Sequence, residues 1–166
     1  MGNFLSLPIL MIAAALQTSL TKQIRLLGGE PDLVFLLVLS WSINSELEQS
    51  VVWAFIGGIC LDLLSGAPMG ASIPGMLILI FGVSGLGQQV YRIGIVILVG
   101  LVLIGTLVQQ IIFMGIIALT GQRVLWFESL TYVTLPTILY NLLFIIPVYW
   151  FVRRIQNGLS RRQIKS

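Results

Sequence analysis

The chain has 166 residues, of which 57% are hydrophobic and only 9% are charged. Because a soluble domain carries about 25% charged residues, this composition excludes a soluble globular protein. The absence of histidine removes the usual proton shuttle of neutral-pH catalysis, and the one cysteine, Cys60, excludes an intramolecular disulfide. We therefore predict an all-α integral membrane protein in which residues 1–166 form a single transmembrane helical domain.

Six apolar segments predict a bundle of six transmembrane helices. They cover roughly residues 4–21, 32–45, 50–64, 72–90, 93–119 and 129–152, and a basic tail follows at 153–166. The second and third segments are short enough to be re-entrant. Two crossings are preferred, because a re-entrant hairpin would place Glu46 and Glu48 near the bilayer midplane, where carboxylates are costly. Trp41 and Trp53 would then flank a water-exposed turn at the level of the lipid headgroups.

The basic residues predict the orientation of this bundle. With six crossings, six cations lie on one side of the membrane and three on the other. The larger group is Arg92, Arg153, Arg154, Arg161, Arg162 and Lys165, and the smaller is Lys22, Arg25 and Arg123. Because the side richer in Lys and Arg faces the cytoplasm, both termini are expected there. The basic tail is expected to lie on anionic lipid headgroups.

One face of the third predicted helix combines small residues with an acid. Ala54, Gly58 and Asp62 fall four residues apart, so two small side chains form a groove with a carboxylate at its end. An ionisable group inside an apolar segment is costly without a partner, which makes Asp62 a candidate binding residue. The alternative is that Asp62 only holds the following turn, by accepting N–H groups from residues 66–70. The two roles are compatible.

Two turn motifs supply further candidate positions. In the cluster from Ser65 to Gly70, Gly66 is suited to a left-handed helix cap and Pro68 cannot continue the helix. Pro31 and Asp32 form a helix start, since proline fits the first turn and a carboxylate complements the positive end of the helix dipole. Capping is the expected role of Asp32.

The later predicted helices carry polar residues inside apolar sequence. These are Thr106, Gln109, Gln110 and Asn141. We expect the amides of the fifth helix to make hydrogen bonds between helices, and a transport path is the alternative. Pro136 and Pro147 flank Asn141 and are expected to kink the sixth helix.

The sequence lacks the residues that most enzymes and metal proteins require. There is no Cys/His cluster for zinc and no nucleotide-binding motif. A serine nucleophile would find no histidine to activate it. An aspartyl mechanism needs two facing acids, and the one acid that could approach Asp62 is Asp32, at the end of a predicted helix. Nucleic-acid binding by the tail would be weak and unspecific. We therefore predict no catalysis, cofactor, metal or nucleic-acid partner.

Three sequence segments resemble the MreD family of rod shape-determining membrane proteins. They are EPDLVFLLVLSW, AFIGGICLDLLSGAPMGAS and LPTILYNLLFIIPVYWFVRR, at residues 30–41, 54–72 and 135–154. Leu16 and Gln17, late in the first predicted helix, support the resemblance. One difference is the acidic turn between the second and third helices, where basic or glycine-rich turns are common in the family.

The resemblance implies a non-enzymatic scaffold of the elongation complex in the bacterial inner membrane. It implies binding to MreC and proximity to RodA, its penicillin-binding transpeptidase and MreB, with membrane lipid as a further partner. MreC is expected to dock near Asp32, Asp62 and the small-residue faces. The resemblance also implies a fold similar to the substrate-binding subunits of energy-coupling-factor transporters, so the alternative function is small-molecule binding or uptake. Those subunits typically contact their energising subunit through an Ala-x-x-x-Ala pattern on the first helix. Here only Ala15 and Ser19 approximate that pattern.

Overall fold

The computed structural model describes residues 2–23, 28–85 and 94–163. Within these residues the secondary structure is helical, as predicted. The helices are α1 (Gly2–Gln23), α2 (Leu33–Ile43), α3 (Leu47–Ser65), α4 (Ile73–Gly85), α5 (Ile95–Leu119), α6 (Trp126–Ser129) and α7 (Leu135–Gln163). A π-helical turn, Leu130–Thr134, joins α6 to α7. The end of the fourth predicted crossing, residues 86–90, lies outside the described part of the chain.

Three helical segments are long and apolar enough to cross a membrane. They are Leu47–Ser65, Ile95–Leu119 and Trp126–Gly158. Three other apolar helices are shorter, at Ser6–Leu20, Leu33–Ile43 and Ile73–Gly85. The structure thus supports a membrane protein, and crossing by all six segments stays a prediction.

Helix α2 is the centre of the bundle. Nine of its eleven residues are buried, and it packs against α1, α3, α4 and α7. Helix α5 lies outside α2 and packs on α4 and α7. A helix that is apolar on all sides is typically enclosed by other elements, and the sequence from Leu33 to Leu39 has no polar residue to face water. Helix α2 is therefore a short helix that the other helices enclose.

Trp41 and Trp53 form a stacked pair in the core, which corrects their predicted place at the lipid headgroups. Their ring centroids are 3.9 Å apart with an interplanar angle of 13°, and each is at most 2% exposed. Such aromatic pairs add about 0.5–1.5 kcal/mol beyond the burial of their area. The pair joins the end of α2 to the start of α3. Glu46 and Glu48 are exposed at this turn, as expected.

Helix α7 begins and ends differently from the prediction. Helix α7 begins at Leu135, directly after the π-helical turn, and Pro136 is its second residue. Proline has no N–H to donate and its ring crowds the preceding turn, and the wider π-helical turn accommodates both features. At the other end, the predicted basic tail continues the helix as far as Gln163. Arginine is a good helix former, and cations favour the negative end of the helix dipole.

Helices α3 and α4 approach closely at Gly58. A Cβ atom placed there would lie 2.7 Å from the side chain of Ile73 and 3.0 Å from its Cα. The groove predicted from Ala54 and Gly58 is therefore filled by the start of α4. By contrast, a Cβ atom at Gly82 would meet no described atom within 4 Å.

Replacing these two glycines should separate internal packing from the outer surface. Gly58→Leu should lower the stability of the isolated protein by about 1–3 kcal/mol, because overpacking forces the backbone of α4 to move. Gly82→Leu is the matched control and should leave stability almost unchanged. Equilibrium unfolding in mixed micelles measures both, and equal stability of the two variants would contradict the packing described here.

Candidate functional site

The carboxylate of Asp32 caps the start of α2. Its Oδ1 accepts the N–H of Phe35 at 3.0 Å, which is the capping role expected from the sequence. Its Oδ2 accepts the side-chain amide of Gln109 at 3.2 Å, from the middle of α5. The backbone N–H of Asp32 donates to Oδ1 of Asn141 in α7 at 2.9 Å. Asp32 thus links three helices.

The other hydrogen bonds around this point come from α1, α5 and α7. Oε1 of Gln17 accepts the N–H of Val34 at 3.1 Å. The Asn141 amide donates to Oγ1 of Thr106 at 3.1 Å. The hydroxyl of Thr137 accepts the N–H of Glu30 at 3.3 Å. We call the six residues of this network the polar cluster: Gln17, Asp32, Thr106, Gln109, Thr137 and Asn141.

The polar cluster satisfies backbone groups that a helix cannot satisfy itself. The first N–H groups of a helix have no partner within it, and in a membrane water does not supply one. Side chains of Gln17, Asp32 and Asn141 accept three such groups at the start of α2. Pro31, which has no N–H, is buried immediately before them. The chemistry of the cluster is therefore structural hydrogen bonding.

Asp62 accepts backbone N–H groups at the turn between α3 and α4, as Asp32 does at the start of α2. It is 2% exposed, and its Oδ2 accepts the N–H of Gly70 at 2.7 Å. The N–H of Ser72 approaches the same carboxylate, at 3.2 Å from Oδ1. This geometry is the turn-holding arrangement that the sequence left open, extended by two residues beyond Gly70.

The remaining predicted positions shape the same turn. Gly66 has φ of +69° and closes α3 in the left-handed conformation, which favours glycine because a Cβ would be strained. Gly70 also has a positive φ, of +92°. The carbonyl of Pro68 accepts the N–H of Ala71 at 3.0 Å. Ala54 is fully buried, so together with Gly58 it offers no open groove for a partner helix.

The interhelical hydrogen bond predicted for the Gln109 amide is present, whereas the bond at Thr106 and the roles of Gln17 and Thr137 were not predicted. Gln17 had been noted only for the family resemblance, and Thr137 only as part of the last predicted helix. Among the described residues the side-chain amide of Gln110, the neighbour of Gln109, makes no hydrogen bond, so the prediction made for both amides holds only for Gln109. The described residues also contain no group of three or more His, Cys, Asp or Glu side chains that would hold a metal ion.

Removing the amide of Asn141 should destabilise the bundle. Asn141→Leu leaves the Asp32 N–H and the Thr106 hydroxyl without this partner, and an unsatisfied buried group costs about 1–3 kcal/mol. Gln110→Leu is the matched control, since it makes the same amide-to-leucine change without losing a hydrogen bond. We expect it to alter stability by less than about 0.5 kcal/mol. Equilibrium unfolding in mixed micelles tests the pair, and an Asn141→Leu variant as stable as the control would exclude a structural role for the cluster.

Comparison with known proteins agrees with the segments quoted from the sequence. Searches of curated protein sequences and of solved structures each return no match. The family model described as rod shape-determining protein MreD matches residues 1–157 of the 166-residue chain. This match includes the Pro31–Asp32 helix start, the Asp62 turn and Asn141. The chain therefore belongs to the MreD family of rod shape-determining membrane proteins.

Proposed function

We propose that this protein is a non-enzymatic scaffold of the cell-elongation complex, which binds MreC and helps to organise lateral peptidoglycan synthesis. The proposal rests on one observation: the polar side chains that were candidate binding residues are hydrogen-bonded to the protein's own backbone. Asp32, Asp62 and Asn141 all accept hydrogen bonds from its own backbone. Such bonds stabilise a fixed framework, whereas a catalytic group must be available to a substrate. The family match supports the role in rod shape.

The internal packing limits where MreC can dock. Gly58 is covered by Ile73 and Asp62 by the α3–α4 turn, and Ala54 is fully buried. We therefore assign internal structural roles to the predicted site residues. They are Pro31, Asp32, Ala54, Gly58, Asp62, Gly66, Pro68, Gly70 and Asn141. A partner helix requires another surface.

The outer face of α4 offers such a surface. Gly82 is exposed and has no described atom near its Cβ position. Ile78 and Phe81, one turn and one residue before it, are 52% and 55% exposed. Membrane helices associate where small residues let two backbones approach closely. We assign the single membrane helix of MreC to this α4 face, defined by Ile78, Phe81 and Gly82.

The orientation proposed for the bundle is six crossings in the bacterial inner membrane, with both termini in the cytoplasm. It rests on the cation distribution, and it leaves the exposed Arg153 and Arg154 at the cytoplasmic surface. There they would contact anionic lipid and lie on the side where MreB assembles. RodA and its transpeptidase would meet the protein within the membrane. The fold-level similarity to energy-coupling-factor subunits stays a prediction, and the family match gives no support to an uptake function.

Cysteine labelling in intact cells tests the orientation. In a chain with Cys60 replaced by Ser, single cysteines at Ala67 and Gln122 should react with a membrane-impermeant reagent added outside. Cysteines at Gln49 and Ser166 should react only after the cells are opened. Gly29 is unsuitable, because a Cβ there would overlap Pro136. Labelling of Ser166 from outside would reverse the proposed orientation.

Co-purification tests the α4 face. Gly82→Leu should reduce the recovery of MreC about tenfold or more, because overpacking of about 1–3 kcal/mol weakens an interface. The stability of the isolated protein should not change. Gly115→Leu is the matched control, since Gly115 is another helical glycine with no described atom near its Cβ position, but lies on α5. Normal recovery of MreC with Gly82→Leu would exclude docking on this face.

A further inference from the structure

A cavity opens at the end of the bundle where α1 and α3 finish. Its volume is about 460 Å³, within the 300–1,000 Å³ typical of small-molecule sites. Gln17, Thr18 and Lys22 of α1 line it, together with Glu30. Helix α3 contributes the remaining lining residues, which are Leu61, Leu64 and Ser65. None of these residues belongs to the α4 face.

Two side chains in the cavity can donate hydrogen bonds to an anion. Lys22 is exposed in the last turn of α1, and its ammonium group carries three donors. The Ser65 hydroxyl oxygen accepts the N–H of Ala67 at 3.4 Å, which leaves its O–H available as a donor. A lysine ammonium and a hydroxyl together suit a phosphate group, for which charge-assisted hydrogen bonds are roughly twice as strong as neutral ones.

Two other side chains can accept hydrogen bonds from a cation. The Thr18 hydroxyl donates to the carbonyl of Ala14 at 2.7 Å, so towards the cavity its oxygen acts as an acceptor. Glu30 already has an interaction of its own. A carboxylate has about four lone-pair sites, so it can also accept N–H groups from a bound ammonium. The lining of the cavity therefore includes two side chains that can donate and two that can accept.

The third wall of the cavity is apolar and continues into the outer surface of α3. Leu61 is buried, whereas Leu64 is 44% exposed and the preceding residue, Leu63, is 63% exposed. In a membrane such leucines contact acyl chains. A molecule seated in this cavity can thus have an apolar portion that contacts Leu64 and extends into the bilayer.

We propose that this cavity binds a phosphate group carrying a primary amine, as in the headgroup of phosphatidylethanolamine. Lys22 and Ser65 hold the phosphate, Glu30 and Thr18 hold the ammonium group, and Leu64 contacts the first part of the acyl chains. A free phosphoethanolamine shares the polar chemistry but gains nothing from Leu64. The proposal does not depend on MreC binding.

Native mass spectrometry of the detergent-purified full chain tests the proposal with three lipids that have identical acyl chains. Phosphatidylethanolamine should bind more tightly than phosphatidylglycerol, which lacks the amine, and phosphatidylcholine, which has no N–H to donate. Lys22→Gln should weaken phosphatidylethanolamine binding about tenfold, since it removes a charge-assisted hydrogen bond. Glu30→Gln should abolish the preference over phosphatidylcholine. Equal binding of the three lipids by the unmodified chain would overturn the proposal.

A pair of tryptophan substitutions distinguishes the cavity from general lipid contact. Leu64→Trp should fill the cavity and reduce phosphatidylethanolamine binding, whereas Leu63→Trp, on the same turn but outside the cavity, should not. Glycerophosphoethanolamine added as a soluble competitor identifies the source of the ligand. Because Leu64 adds contact with the acyl chains, the competitor should displace the lipid only at a large molar excess. Displacement at equal concentration would overturn the role of Leu64. Equal effects of Leu63→Trp and Leu64→Trp would overturn the assignment to this cavity.

Discussion

The start of α2 is the constraint on which the rest of the bundle depends. Its N–H groups lie inside a membrane protein, where each unsatisfied group costs several kcal/mol. Asp32, Gln17 and Asn141 satisfy them from α2 itself, α1 and α7. At the other end of α2, the Gln156 amide donates to the Trp41 carbonyl at 3.3 Å. Hydrogen bonds therefore hold both ends of a helix that is mostly apolar and buried.

The residues inside the bundle and those on its outer surface therefore have different roles. Because close contact at Gly58 and capping by Asp62 are used between α3 and α4, these features stabilise the protein rather than present a binding surface. The outside retains an apolar face on α4 and a mixed cavity beside Lys22 and Glu30. A closely packed interior with distinct outer surfaces suits the scaffold role that we propose, and membership of the MreD family supports a role in rod shape determination.

The sequence predicted where each helix lies along the chain better than it predicted which residues each helix contacts. Apolar length and turn residues located the helices, and the caps at Asp32 and Gly66 follow from local chemistry. Position within the bundle is not encoded locally, because a tryptophan suits a lipid interface and a core equally well; Trp41 and Trp53 were accordingly misplaced. The same reason explains the omission of Gln17. An amide near the end of an apolar helix gives no indication that its partner is a backbone N–H in the next helix.

Residue-resolved hydrogen exchange by NMR tests most directly whether side chains hold the start of α2. We expect slow exchange at Val34 and Phe35, the amides bound by Gln17 and Asp32. Helix α3 provides the internal comparison, because its capping residue Glu46 makes no side-chain hydrogen bond and its first-turn amides should exchange fast. Gln17→Leu should accelerate exchange at Val34 alone among these positions. Exchange at Val34 and Phe35 as fast as in the first turn of α3 would contradict the account.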